Sequence, residues 1–295
     1  MAAENGGVST AGQDGSTPGR PRFTVVVPAH NEEASLGATL RSLAEQDFAG
    51  PVEVVVVDNA STDGTAGVAE AYGARVVAEP RRGVCRARQR GTDAARGEVV
   101  VSTDADTVHP HDWLRRIDER LRERPDAVAV AGPCRYRDAP GWVDVLSGGA
   151  FVGLGRLYAW TGRVGYVTAT NLAFHRASFP GYDVNLTQGG DEVDVLRRLR
   201  RQGPVLWDRE NVVLTSSRRL DQGLAYTLVV SFGWHYAASL LLDRLSGRPL
   251  VGPAPAIRAD DAVRSGHRRR VGRAALLAFG VALLPLLVRR FRDPR

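Results

Sequence analysis

VVVSTDADTV, residues 99–108, runs a β-branched apolar stretch into two carboxylates, Asp104 and Asp106, one alanine apart. Side chains two residues apart on a strand share a face. This reading therefore aims both carboxylates at one place. Like charges side by side are costly unless a cation, or a reaction that uses both, accounts for them. The valines before them do not alternate with polar residues, the mark of a strand covered on both faces in an α/β sheet.

The segments on either side repeat the pattern. FTVVVPA (23–29) is an expected strand, and Leu36, Leu40 and Leu43 then recur at helical spacing. VEVVVVDNAS (52–61) is a second strand, with a helix near 65–72. ARVVAE (74–79) is a third, followed by a helix over 85–95. The decapeptide belongs to the fourth, EVVVSTDAD (98–106), and the next helix is opened by Pro110. AVAVAG (127–132) is a fifth strand. Strand–helix alternation of this kind predicts right-handed crossovers and a doubly wound sheet. Such sheets bind ligands past the carboxyl ends of their strands. Polar residues gather there: His30, Asn31 and Glu32 after the first strand, Asp58, Asn59 and Asp63 after the second, Asp104 and Asp106 after the fourth.

Beyond residue 132 the pattern loosens. Residues 141–167 mix Gly with Trp and Tyr and read as a flexible substrate lip. TATNLAFHRASF (168–179) reads as a strand with a turn. GGDEVDVLRRLRRQG (189–203) opens a helix with carboxylates first and arginines behind, the order the helix dipole favours. His109 and His111 read as surface residues at a helix start.

Composition closes off several chemistries. The 295 residues carry a net charge of +6 and 39 basic side chains, all arginine. Without lysine there is no Schiff-base or P-loop lysine chemistry. Two cysteines, Cys85 and Cys134, make no disulfide framework, so a reducing, cytoplasmic setting is expected. Residues 1–21 are expected to form a disordered tail, without the apolar core of a signal peptide. Arginines cluster near the C-terminus without interleaved aromatics, so no nucleic-acid partner is expected. Residues 274–288, AALLAFGVALLPLLV, lie between arginine clusters. Two readings stay open: a helix at the membrane, interfacial or short-spanning, on the inner face of an anionic leaflet, or a helix packed in a core.

Four stretches together resemble the family 2 glycosyltransferases and their GT-A fold: VVVPAHNEEASLGATLRSL (25–43), VVVVDNASTDGT (54–65), RRGVCRARQRGTDAARGEVVVSTDADT (81–107) and GGDEVDVLRRLRRQG. The resemblance implies an α/β, GT-A-type doubly wound, mostly parallel sheet flanked by helices. Its boundaries are expected at 22–220, with 22–131 the nucleotide-binding half and 132–220 the acceptor half. A helical C-terminal extension over 221–295 follows. The implied partners are a nucleoside-diphosphate sugar, UDP or GDP, and a hydroxyl acceptor on a glycan or lipid carrier. The implied cofactor is a divalent cation, Mg²⁺ or Mn²⁺, and the implied reaction a single inverting displacement.

By the same resemblance Pro28, His30 and Glu32 line the base and ribose pocket, Asp58 bonds the nucleobase and Arg88 faces the nucleotide. Asp104 contacts ribose or metal, Asp106 binds the cation and Asn171 sits near a sugar. The family often has a second acid where this chain has Asn59. Its base segment usually reads Glu-Asp, and here it reads Asp191–Glu192. Register gives the base position to Glu192, and Asp191 is kept beside it. Arg218 and Arg219 are candidates to clamp the diphosphate. Two alternatives remain. One is a nucleotide-sugar-binding protein without catalysis. The other is a phosphatase similar to the haloacid dehalogenases, whose nucleophile strand resembles VVVSTDADTV but normally opens its domain.

Overall fold

The computed structural model describes residues 19–139, 141–164, 167–185 and 191–218. The chain divides into two units, 1–217 and 218–295. All but the first residue of the second unit lies outside the described residues, as do Arg219 and the apolar segment 274–288.

In chain order the first unit contains β1 (Phe23–Ala29), α1 (Glu33–Ala44), β2 (Val52–Asp58), α2 (Thr65–Ala71), β3 (Arg75–Ala78), α3 (Val84–Ala94) and β4 (Val99–Ser102). It continues through β5 (Thr107–Val108), α4 (Trp113–Glu123), β6 (Ala129–Ala131), β7 (Cys134–Tyr136) and α5 (Gly141–Thr161). β8 (Leu172–His175), α6 (Asp191–Gln202), β9 (Val205–Trp207) and β10 (Val213–Thr215) complete it. Seven strands form the main sheet in the order β3-β2-β1-β4-β8-β6-β9, and β5-β10-β7 form a small second sheet. The main sheet is mostly parallel; β8 runs antiparallel between β4 and β6.

The valine runs explain the layers. Val25 and Val27 face an apolar cluster with Leu36 and Leu40 of α1 and Trp113, Leu114 and Ile117 of α4. Val26, between them, faces the opposite cluster with Ala87 of α3 and Val195 and Leu199 of α6. A strand buried on both sides needs apolar or internally satisfied residues throughout, and in β1 the one polar side chain, Thr24, donates to Glu53 Oε2 at 2.7 Å. Helices therefore cover both faces, as the alternation predicts.

The strand order reverses at β1, which pairs in parallel with β2 on one side and β4 on the other. Pairing with β4 ends at Val26, while pairing with β2 continues to Ala29. Pro28 sits where this split makes it harmless. Val26 O accepts the Thr103 N–H on the β4 side, and Ala29 O accepts the Asn59 N–H on the β2 side. Position 28 thus faces the side that β4 has already left, and no ladder bond is lost to the missing N–H.

Three expectations need correction. β4 ends at Ser102, so Asp104 and Asp106 lie on a turn closed by the Thr107 N–H on Asp104 O at 3.3 Å, not on a strand. Both are half-exposed with buried Ala105 between them. The chain leaves this turn as β5 to join β10. The glycine-rich stretch read as a flexible lip is instead α5, 21 residues long. Phe151 and Tyr158 pack on the core there, and Phe151 stacks on Trp207 with centroids 6.1 Å apart. Tertiary packing outweighs its poor helix propensity. The helix expected to open at Pro110 begins at Trp113, with Asp112 as its N-cap.

Candidate functional site

The site is built where β1 and β4 part. Asp104 is held on both oxygens. Arg88 of α3 donates to Oδ1 at 2.7 Å, and the Thr170 hydroxyl donates to Oδ2 at 2.7 Å. Arg88 is only 4% exposed, so this guanidinium stands behind Asp104 rather than on an open wall. A buried arginine requires such a partner. Asp106 receives the Thr215 hydroxyl at 3.3 Å, which ties the turn to β10.

The second carboxylate of interest arrives from α6. Glu192 Oε1 accepts the Ala169 N–H at 3.3 Å. Ala169 and Thr170 belong to one short 3₁₀ turn, Ala169–Asn171, capped by Thr168. Consecutive residues of that turn therefore hold Glu192 and Asp104. Cys134 reports the same convergence. Burial, reinforced by the charges of Glu192 and Asp104, pushes its thiol up to about 12, against a hydrogen bond with Thr168.

Asn171 does not fit its expected role. Its Oδ1 accepts the Trp113 indole N–H at 2.9 Å, and its Nδ2 donates to Pro133 O and Asn211 O at 3.1 and 2.6 Å. At 2% exposure it is a core residue that anchors the 3₁₀ turn, and no sugar contact is assigned to it.

At the ends of β1 and β2 the expected nucleotide residues gather around two short loops. The Ser61 N–H donates to Asp58 Oδ1 at 3.0 Å. His30 Nε2 meets the Arg82 guanidinium, so the imidazole there accepts. Ser35 donates to Glu32 Oε2, and the Glu32 N–H donates to Thr65 Oγ1 at 2.8 Å. Asn31 adopts φ 53°, in the left-handed region that asparagine tolerates. Asn59 works on the neighbouring loop. Its Nδ2 donates to Glu79 O and Arg81 O at 2.9 and 2.8 Å, and its Oδ1 accepts the Gly83 N–H at 2.8 Å.

His109 is likewise not a surface residue. It is 5% exposed, between Ser42 and Thr103, with its ring 4.0 Å from that of Trp113. His111 is exposed as expected. The sequence reading missed Thr168, Thr170, Thr215 and Cys134. Only the adjacency of Thr168 and Thr170 to Asn171 pointed toward any of them.

Of the remaining candidates, Arg218 begins the second unit and Arg219 lies outside the described residues. Asp191 opens α6 next to Glu192.

Asp104 and Asp106 offer hard carboxylate oxygens. Among the described residues no group of three or more His, Cys, Asp or Glu is arranged to hold a metal. Two carboxylates are nonetheless what Mg²⁺ takes from protein when phosphate oxygens and water complete its shell. Burial and the neighbouring carboxylates push the nearby Cys134 thiol up to about 12. The donor set fits a hard dication.

A parallel sheet that reverses at β1, with carboxylates gathered past the reversal, defines an α/β ligand-binding domain of the doubly wound class. Within that class the chain belongs to glycosyl transferase family 2, whose family model matches residues 24–180. An uncharacterized glycosyltransferase of Mycobacterium tuberculosis is 48% identical over 83 residues, 28% of this chain and 36% of that protein. The chain thus spans about a third of the length of such relatives. A mannosyltransferase from Pyrobaculum calidifontis, solved with GDP-Man and Mn²⁺, superposes with TM-score 0.53 at 25% identity, covering 90% of this chain and 80% of that one. Glucosyl-3-phosphoglycerate synthase from Mycobacterium tuberculosis, solved with Mn²⁺, UDP and glucosyl-3-phosphoglycerate, gives 0.51 at 26% identity, covering 80% and 86%. The fold is the GT-A type.

Proposed function

We propose that this protein is a glycosyltransferase that moves a sugar from a UDP or GDP donor to an acceptor hydroxyl, with inversion at the anomeric carbon. One observation carries the reading: the 3₁₀ turn binds Glu192 through Ala169 and Asp104 through Thr170, so a candidate base and a candidate donor-site acid are fixed to each other. Family membership and the nucleotide complexes of the solved neighbours support it.

In this reading the nucleotide lies along the carboxyl ends of β1, β2 and β4, past Pro28, His30, Glu32 and Asp58. Arg88 and Thr170 fix the orientation of Asp104, which meets the ribose or the metal. Asp106, with Asp104 beside it, would hold a divalent cation, Mn²⁺ or Mg²⁺, which would supply neutralisation of the diphosphate leaving group. Glu192 takes the proton of the acceptor hydroxyl as general base. Asp191 is the alternative base, and Arg218 and Arg219 remain candidate diphosphate ligands. The acceptor is a glycan or lipid-linked hydroxyl, and a cytoplasmic setting, at the inner face of a membrane for a lipid acceptor, belongs to the same proposal.

The experiment is a thermal-shift and turnover series with UDP- and GDP-sugars, with and without Mn²⁺. A nucleotide at 100 times its dissociation constant stabilises the fold by about 2.7 kcal/mol. Asp106→Asn is expected to abolish the metal-dependent part of that shift. Glu192→Gln is expected to keep the shift and lose roughly 10²–10⁴-fold in turnover. If Asp191→Asn shows that loss instead, the base is reassigned. No shift with any nucleotide overturns the reading, and a shift without turnover of any donor supports a binding protein.

A further inference from the structure

Helices α5 and α6 lie in one layer. Phe151 and Tyr158 of α5 meet the same apolar cluster as Val195 and Leu199 of α6, with Trp207 between sheet and helices. Their opposite faces therefore look away from the sheet together, and the two faces differ in kind.

The outer face of α5 is apolar. Val145 is 74% exposed, Val152 56%, Leu157 42% and Trp160 84%. Steps of seven and eight residues, about two helical turns each, join Val145, Val152 and Trp160, so the three form one ridge. No acidic residue occurs between Val145 and Arg163. The outer face of α6 is basic. Arg197, Arg198 and Arg201 fall on one stripe with Asp194 and, with Pro180, border an open cleft of about 340 Å³. Asp194 neutralises Arg198 at 2.6 Å. Arg197 and Arg201 form no ion pair among the described residues. Burial, and then the like charge of Arg163 just past the end of α5, push the Arg200 guanidinium of α6 below its ordinary range, so the C-terminal end of α5 lies within electrostatic reach of α6.

We propose that the joint outer face of α5 and α6 seats the protein on an anionic lipid surface. The α5 ridge enters the headgroup boundary with Trp160 as its anchor, and Arg197 and Arg201 meet lipid phosphates. An apolar ridge ending in tryptophan beside unpaired arginines is the pattern of a helix lying in a membrane interface. Acidic protein or nucleic acid would satisfy the arginines but leave the valines and leucine in water. Among the described residues no helix is long and apolar enough to cross a membrane. Glu192 lies about 200° around α6 from Asp194 at 100° per residue, so this stripe is on the far side of the helix from the candidate base.

The test is flotation of the full chain with phosphatidylcholine vesicles and with vesicles containing phosphatidylglycerol. Binding is expected only to the anionic vesicles. Arg197→Gln with Arg201→Gln is expected to lower it roughly 30-fold, at about 1 kcal/mol per arginine. Val152→Ser with Trp160→Ser is expected to lower it as well. Brominated acyl chains should quench tryptophan emission in the parent, and Trp160→Phe should remove most of that quenching. All these side chains face solvent, and an unchanged melting temperature verifies the fold of each variant. Parent-level vesicle binding in the arginine and ridge variants overturns the proposal and gives the contact to another segment, such as 274–288. Failure to bind anionic vesicles, with or without capture of an acidic protein or RNA, overturns it too. Vesicle binding is read without turnover, so failure of the glycosyltransferase reading leaves this result standing.

Discussion

The Thr170 hydroxyl donates to Asp104 Oδ2 at 2.7 Å, while the preceding residue, Ala169, gives its N–H to Glu192. A two-residue segment of one turn thus ties the carboxylate after β4 to the carboxylate at the head of α6. The turn is itself fixed by Asn171, whose amide is saturated by Trp113, Pro133 and Asn211. Rigid support of this kind holds functional groups in working geometry.

Thr170→Val should therefore separate support from chemistry. It removes one hydrogen bond to a charged acceptor while keeping the side-chain shape, a cost of about 1–3 kcal/mol. Denaturant unfolding should show that loss. Donor turnover should fall by more than the stability loss explains, because Asp104 loses the Thr170 hydroxyl on Oδ2 while Arg88 still holds Oδ1. Unchanged turnover in a folded variant would show that the orientation of Asp104 does not matter.

Asn59 makes a sharper case. The family resemblance suggests an acid at this position, and the structure shows why this chain cannot accept one. Its Nδ2 donates to two carbonyls, Glu79 O and Arg81 O, and a carboxylate would set oxygen against oxygen. The residue is 5% exposed, so water cannot relieve the contact. Asn59→Asp should cost about 2–4 kcal/mol in unfolding free energy at pH 7 and less in acid, where a protonated carboxyl regains a donor. A pH-independent loss would argue against this cause.

The contrast between Asn59 and the valine strands shows what the sequence can carry. β1, β2, α2, β3 and α3 are legible because each takes its order from local periodicity: apolar runs for doubly covered strands, helical spacing between them. Asp104, Asp106 and Glu192 are legible as carboxylates at element ends. Thr170 is not, because its importance comes from Asp104, 66 residues away, and a threonine between an alanine and an asparagine carries no periodic signal. β8 eludes the pattern for a related reason. Its insertion antiparallel between β4 and β6 is a pairing choice, and its own residues fit either direction. α5 departs from the expected flexible stretch because glycine lowers intrinsic helicity, while the contacts of Phe151 and Tyr158 that outweigh it are long-range.

Close contact of α3 with β1 and β2 rests on Gly91 of α3. A Cβ there would lie 2.3 Å from Val26 Cγ1 and 2.9 Å from Val57 Cγ2. Both valines are buried in the middle of the sheet and cannot withdraw. Gly91→Ala gains helix propensity of about 1 kcal/mol, but the overlap should outweigh it and leave a net loss of about 1–3 kcal/mol. Because α3 also carries Arg88, nucleotide affinity should drop with stability. A stabilised variant would mean that the helix can lift from β1 and β2 at no cost.

His109 sets the response to acid. The Ser42 hydroxyl donates to Thr39 O at 2.8 Å, so toward His109 Nδ1, 3.0 Å away, it acts as acceptor. The imidazole is thus protonated on Nδ1, and Nε2 accepts from Thr103 at 2.8 Å. Burial pushes its pKa down to about 3, and the charge of Asp104 only partly opposes this. The folded chain keeps the ring neutral while the unfolded chain takes up a proton below its ordinary value of about 6.5. The contribution of His109 is therefore whole above that pH and is lost as the pH falls toward 3. The slope reaches about 1.4 kcal/mol per pH unit. His109→Gln keeps a donor and an acceptor but no proton to bind. It should be less stable than the parent at pH 7, and the gap should narrow steadily in denaturation curves taken at pH 7, 6, 5 and 4. A gap constant across that series would mean that the ring is protonated equally in both states, and that its burial between Ser42 and Thr103 has no bearing on acid unfolding.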